Sequence, residues 1–97
     1  MLLTVTTTSQ NVKELVDAVN PEFLSDLYNR REGKKIGGFQ MTIQNTSGVD
    51  VYIEGGAIDA TTTDSVLVAD GQTYTCVDRP QDLSLIVGAG TADVRFI

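Results

Sequence analysis

The sequence predicts a mainly β protein: an antiparallel β-sandwich or small barrel of about six to seven short strands, with two short α-helices inserted after the first strand. Three observations lead there. Apolar residues alternate with polar ones from Gly37 onward, glycine-bearing turn signals separate the alternating runs, and a helical period occupies the stretch between Asn11 and Arg31. A chain of 97 residues is one domain. Within it, residues 1–10 hold the first strand, 11–35 the helical insertion and 36–97 the antiparallel β module.

The first strand is expected where Leu3 and Val5 alternate with threonines. Asn11 with Glu14 three residues on is a capping-box start. Val12, Leu15, Val16 and Val19 then fall on one face of a helix over residues 11–20. Asn20-Pro21 ends that helix and starts another over 21–31, with proline at its first position. Its stripe is Phe23, Leu24, Leu27 and Tyr28, and Gly33 is placed to close it.

Past Gly37 the period becomes two. Phe39, Met41 and Ile43 alternate with Gln40, Thr42 and Gln44. "NTSG" turns the chain, and Val49, Val51 and Ile53 alternate with Asp50, Tyr52 and Glu54. These two strands are expected to form a hairpin, with the valines and Ile53 inward. Val66 to Val68, the Asp-Gly turn of "ADGQ", and Thr73 to Val77 follow. Leu83, Leu85 and Val87 lead into "GAGT", read as a hairpin turn, and Ala92, Val94 and Phe96 form the last strand.

Composition excludes several chemistries. The chain has no histidine and one cysteine, so the commonest general base and zinc ligand are missing and no internal disulfide can form. Cys76 reads as a half-buried strand residue behaving as a small hydrophobe. No catalytic residue, metal ligand or cofactor is expected. "MLLTVTTTSQ" lacks the basic flank and apolar run of a signal peptide, and no stretch approaches the roughly 20 apolar residues of a membrane span. A soluble protein made in the cytosol is expected, with no membrane partner.

The net charge of −6 is unevenly spread. Residues 1–35 balance five basic against five acidic groups, whereas residues 36–97 hold only Arg79 and Arg95 against eight acids. That acidity argues against nucleic-acid binding. "GAGT" and "IEGG" share glycines with phosphate loops but have neither the following helix nor the lysine. "NTS" at 45–47 matches a glycosylation sequon and is read as a turn. Asp59, Asp64, Asp70, Asp78 and Asp82 match no calcium loop and read as solvated loop acids.

"FQMTIQNTSGVDVYIEGG", "LVADGQTYTCV" and "DLSLIVGAGTADVRFI" together resemble a class of small β-sandwich structural proteins of tailed-phage particles. In that class a strand ending in Gln-Asn leads through a short turn to a Val-Tyr-Ile/Val strand and a glycine pair. A late Ala-Gly-Thr turn, here Ala89-Gly90-Thr91, then opens a closing valine strand at Val94. The resemblance covers about 60 of the 97 residues. Residues 11–35 depart from it, because two helices replace the usual short link.

This resemblance implies a non-enzymatic virion protein of the capsid-decoration, head-fibre-base or head–tail joining type, made in the host cytoplasm. Its partners would be capsid or portal/neck proteins, and it could form a homo-oligomer. Two features are candidates for docking: the basic run Arg30, Arg31, Lys34 and Lys35 with neighbouring Tyr28, and the outward Tyr52. The basic run also suits a helix C-terminus, where cations meet the dipole favourably. The alternative is a carbohydrate- or host-surface-binding sandwich using Tyr28, Tyr52 and Tyr74. A carboxylate-based hydrolase would require paired acids in one cleft.

Overall fold

The computed structural model describes residues 1–31 and 39–96, with the side chains of all of these except 28–31 and 39. The described elements are β1 (Leu2–Val5), β2 (Gln10–Asn11), α1 (Val12–Val19), α2 (Phe23–Arg31), β3 (Phe39–Asn45), β4 (Val51–Glu54), β5 (Val66–Val68), β6 (Thr73–Asp78), a 3₁₀ turn (Pro80–Asp82), β7 (Ser84–Val87) and β8 (Ala92–Phe96). The strands form two antiparallel sheets of four, ordered β1-β8-β3-β6 (sheet A) and β2-β7-β4-β5 (sheet B).

The pairing is nested. β4 pairs β5, β3 pairs β6, β2 pairs β7 and β1 pairs β8. The expected hairpin of β3 with β4 is therefore wrong: the two strands lie in different sheets. The "GAGT" hairpin between β7 and β8 fails in the same way. Both turns do bend the chain, with Gly48 at φ +89° and Gly90 at φ +66°, but each carries it from one sheet to the other. Asn45 shows why at the first turn. Its side-chain amide donates to the carbonyls of Val49 and Val68, 2.7 and 2.8 Å away, tying the end of β3 to the adjacent β4 and β5 of sheet B.

Period-two alternation sets the core. Leu3, Val5, Met41, Ile43, Val94 and Phe96 face inward from sheet A, and Val51, Ile53, Val68, Leu85 and Val87 from sheet B; all are buried and share one cluster. Fully burying such side chains stabilises the fold by about 1.5–3 kcal/mol each. Val49 departs from the expected inward set: it lies in the turn before β4 and is 42% exposed.

The helices lie after the two-residue β2 rather than directly after β1. The capping box is present: the Glu14 amide donates to Asn11 Oδ1 at 2.8 Å, and the Asn11 amide donates to Glu14 Oε1 at 3.0 Å. Val12, Leu15 and Val16 enter the core, but Val19, assigned to the same stripe, is 53% exposed at the helix end. Asn20 accepts from the Glu22 amide at 3.1 Å, and Pro21 lies in the turn before α2 rather than in its first helical position. Leu24 is buried, and Phe23 meets Phe96 edge-on at 6.2 Å between ring centroids. Both helices thus turn apolar side chains into the protein's own core, beside the Phe96 end of sheet A. Gly33, proposed to close α2, lies outside the described residues.

Candidate docking surface

The outward faces of the two sheets differ in chemistry. On sheet B the register sets Tyr52 directly between Leu67 of β5 and Ile86 of β7. Side chains in register on one face lie about 4.5–5.5 Å apart at Cβ, so the three form a continuous apolar row across the sheet. Leu67 is 50% exposed, while Tyr52 and Ile86 are half-buried. A hollow of about 260 Å³ opens beside Tyr52, lined by Val49, Asp50, Val87, Gly88 and Ala89. Its lining offers apolar contact, one phenol and one carboxylate. The nearby Glu54 is engaged, accepting from the Ser65 hydroxyl at 2.9 Å.

The outer face of sheet A is polar across its central strands, with Leu2 and Val77 exposed at its two edges. Thr4 donates to Asp93 at 2.9 Å, and the hydroxyls of Thr42 and Thr75 lie 3.5 Å apart. A hollow of about 440 Å³ is bounded by Met1, Thr42, Gln44, Thr73, Arg95 and Phe96. The Arg95 guanidinium among hydroxyls and an amide, over an apolar floor, suits a polar or anionic ligand better than a greasy one.

Of the residues expected to dock a partner, the structure places Tyr52 on an exposed apolar face. Tyr28, Arg30 and Arg31 lie on the later turns of α2, but their side chains fall outside the description, as do Lys34 and Lys35. Tyr74, counted among the aromatic platforms, faces inward on β6 opposite Ile43. Burial, followed by the Cys76, Asp78 and Glu54 charges, pushes its hydroxyl pKa up. Burial and then Asp78 push the Cys76 thiol up as well, which lowers its thiolate fraction and its nucleophilicity.

Among the described residues no three histidine, cysteine or carboxylate groups converge as metal ligands. No described helix is long and apolar enough to cross a membrane. Asp59, Asp64 and Asp70 are exposed on loops, and Asp82 pairs with Arg79 at 2.6 Å.

Asn45 is the polar residue that sequence reasoning passed over. It is fully buried; besides donating two bonds, it accepts from the Ser47 amide at 3.1 Å and the Ser47 hydroxyl at 2.6 Å. Its main chain joins in too, donating to Gln72 at 2.9 Å and accepting from the Gly71 amide. The signal was present: the phase of Met41 and Ile43 continues to residue 45, so alternation points this amide inward. The loops at 46–50 and 69–72 are joined further by the Gly48 amide, which donates to Asp70 at 2.9 Å.

Comparison with protein-family models, curated proteins and solved structures finds no match for this chain.

Proposed function

We propose that this chain is a β-sandwich of jelly-roll type that serves as a non-enzymatic structural protein of a tailed-phage particle. It binds the capsid or the portal/neck in many copies, and it reaches the virion after synthesis in the host cytoplasm. The observation that carries this reading is the nested pairing of β1 with β8 through β4 with β5, an arrangement that recurs in viral capsid domains. The resemblance of residues 39–56, 67–77 and 82–97 to small virion sandwiches supports the same reading.

Docking runs through the Leu67–Tyr52–Ile86 row, where apolar side chains already stand together and lose little freedom on binding. The basic run Arg30, Arg31, Lys34 and Lys35 supplies a second contact to an acidic partner surface. Each contact is modest, and attachment at many lattice points multiplies it. Mass spectrometry of thoroughly washed particles should find the chain at many copies, and particles that lack it would refute the proposal. Tyr52→Ala should weaken rebinding to particles about tenfold, in the range of a single interface aromatic. Reversing the four basic charges should weaken it further; unchanged binding would remove that run from the account.

The second reading, a carbohydrate- or host-surface-binding module, is favoured by the Arg95 hollow on sheet A. Jelly rolls also occur among lectins. Against it, Tyr74 is turned inward, leaving Tyr52 as the outward aromatic among the tyrosine side chains described. A glycan array with no signal would dispose of it.

A further inference from the structure

The hydrogen-bond phase of sheet A determines which main-chain groups its edge presents. Met1 and Phe96 exchange both of their main-chain bonds at 2.8 Å, so the polar groups of Phe96 point at β1. Ile43, opposite Phe96 on the other side, therefore turns its own groups away from β8 and toward β6. The Asn45 amide, which donates to Gln72 just before β6, has the same phase. Tyr74 and Cys76 thus bond to β3, and the N–H and C=O of Thr73, Thr75 and Val77 point away from the sheet. Among the described residues β6 pairs with β3 alone.

Among the described residues this edge carries one of the usual protections, the charged Asp78 at its end. Thr73–Asp78 contains no proline and no lysine, and its register with β3 runs without a bulge. Val77 is 71% exposed. Tyr74 and Cys76 face inward yet are only half-buried, whereas their partners Ile43 and Met41 are fully buried. Among the described residues the core is only partly covered along this side. The competing edges are shorter: β5 has three residues, β2 two and β1 four.

We propose that β6 pairs with β6 of a second copy, antiparallel about a two-fold axis through Thr75. This register sets Thr75 opposite Thr75, Thr73 opposite Val77 and Tyr74 opposite Cys76. All three outward residues then fall in bonded positions, giving about six main-chain hydrogen bonds and one continuous sheet through both copies. Charge permits the match. Asp78, the one charged residue of β6, falls opposite Gln72 of the second copy, so no like charges meet. Tyr74 and Cys76 gain a cover, and Val77 packs beside Thr73. The contact involves the edge of sheet A and not the outer face of sheet B, so it and the docking reading can fail separately.

So few residues make a small interface, and the dimer is accordingly weak. Sedimentation equilibrium from roughly 10 µM to 1 mM should show mass rising from the 10.4 kDa monomer toward twice that value. Thr75→Pro removes an amide that β3 does not use, a place where a strand edge accepts proline. It should weaken dimerisation at least about tenfold with an unchanged circular dichroism spectrum, as expected for losing central bonds of a short ladder. Register is read in a Cys76→Ser background. There Thr75→Cys should form a disulfide-linked dimer under mild oxidation, because bonded partners lie about 5.5 Å apart at Cα. Thr73→Cys, opposite Val77, should not. A monomer across the whole range, or equal cross-linking at both positions, overturns the proposal. Mass climbing past the dimer would also overturn it, by assigning a head-to-tail contact of β1 on β6 that grows without closing.

Discussion

Replacing Asn45 tests whether the turn network holds the two sheets in place. In Asn45→Ala the buried Val68 carbonyl loses its side-chain donor at 2.8 Å and keeps its ladder partner, the Val51 amide. The Val49 carbonyl keeps only the Ser47 hydroxyl, 3.3 Å away. Neither carbonyl is left without a donor, so the loss is that of the amide's bonds to Val49, Val68 and Ser47, about 1 kcal/mol for each partner. The expected loss is therefore about 3 kcal/mol, a fall in Tm on the order of 10–20 °C for a domain of this size. Asn45→Asp is nearly the same shape but aims a carboxylate at two carbonyls, so at neutral pH it should be the worse variant. Burial there raises the introduced carboxyl pKa in the folded state. Stability relative to the parent is then highest below the unfolded value of about 3.9 and is lost as pH rises toward the folded one. Urea unfolding at about pH 4 and pH 7, followed by circular dichroism, measures both effects. Asn45→Ala within about 0.5 kcal/mol of the parent, or Asn45→Asp with no pH-dependent deficit, would refute the reasoning.

Ala57 has φ +62°, a left-handed conformation that costs a side-chain-bearing residue about 1 kcal/mol. Ala57→Gly should raise the urea midpoint accordingly, while Gly56→Ala, at φ +71°, should lower it. Asn11→Ala removes one bond of the capping box and should destabilise by about 1 kcal/mol, read by the same unfolding curves. Tyr74 and Cys76 keep their protons to higher pH in the folded chain than in the unfolded one. Stability should be full below the ordinary thiol value of 9.0 and fall as pH climbs toward the raised folded values. Denaturation midpoints measured above and below that value check the slope, and Cys76→Ser should remove the thiol's share of it.

Local pattern made the elements legible. Alternation located β3, β4, β7 and β8 because inward and outward residues differ in polarity at every step, and the Asn11–Glu14 spacing marked the start of α1. Pairing was not legible. A glycine turn such as "NTSG" looks the same whether the next strand returns beside the last or crosses to the opposite sheet, and only the buried Asn45 amide distinguishes the two. Val19 and Val49 show the complementary error, since periodicity continues past the point where an element ends and its flank meets water.

The candidate site divides along the same line. That Tyr52 faces outward follows from Val51 and Ile53 facing inward. That Leu67 and Ile86 stand beside it depends on register between strands far apart in the chain, which no local signal encodes. The hydrogen-bond phase that leaves Thr73, Thr75 and Val77 at an open edge is likewise a property of the assembled sheet.

Nested pairing also sets an order of assembly. β4 and β5 enclose one short loop, so closing that pair costs little chain entropy. Joining Met1 to Phe96 spans 95 positions, and closing an outer pair costs less once the loops within it are fixed. A chain dominated by such distant contacts folds slowly for its size, in milliseconds to seconds. Until β8 arrives, β1 has no neighbour in sheet A and β3 is paired on one side only. The interval before that last strand docks is when unpaired strands are open to pairing between molecules, so refolding yield should fall as protein concentration rises.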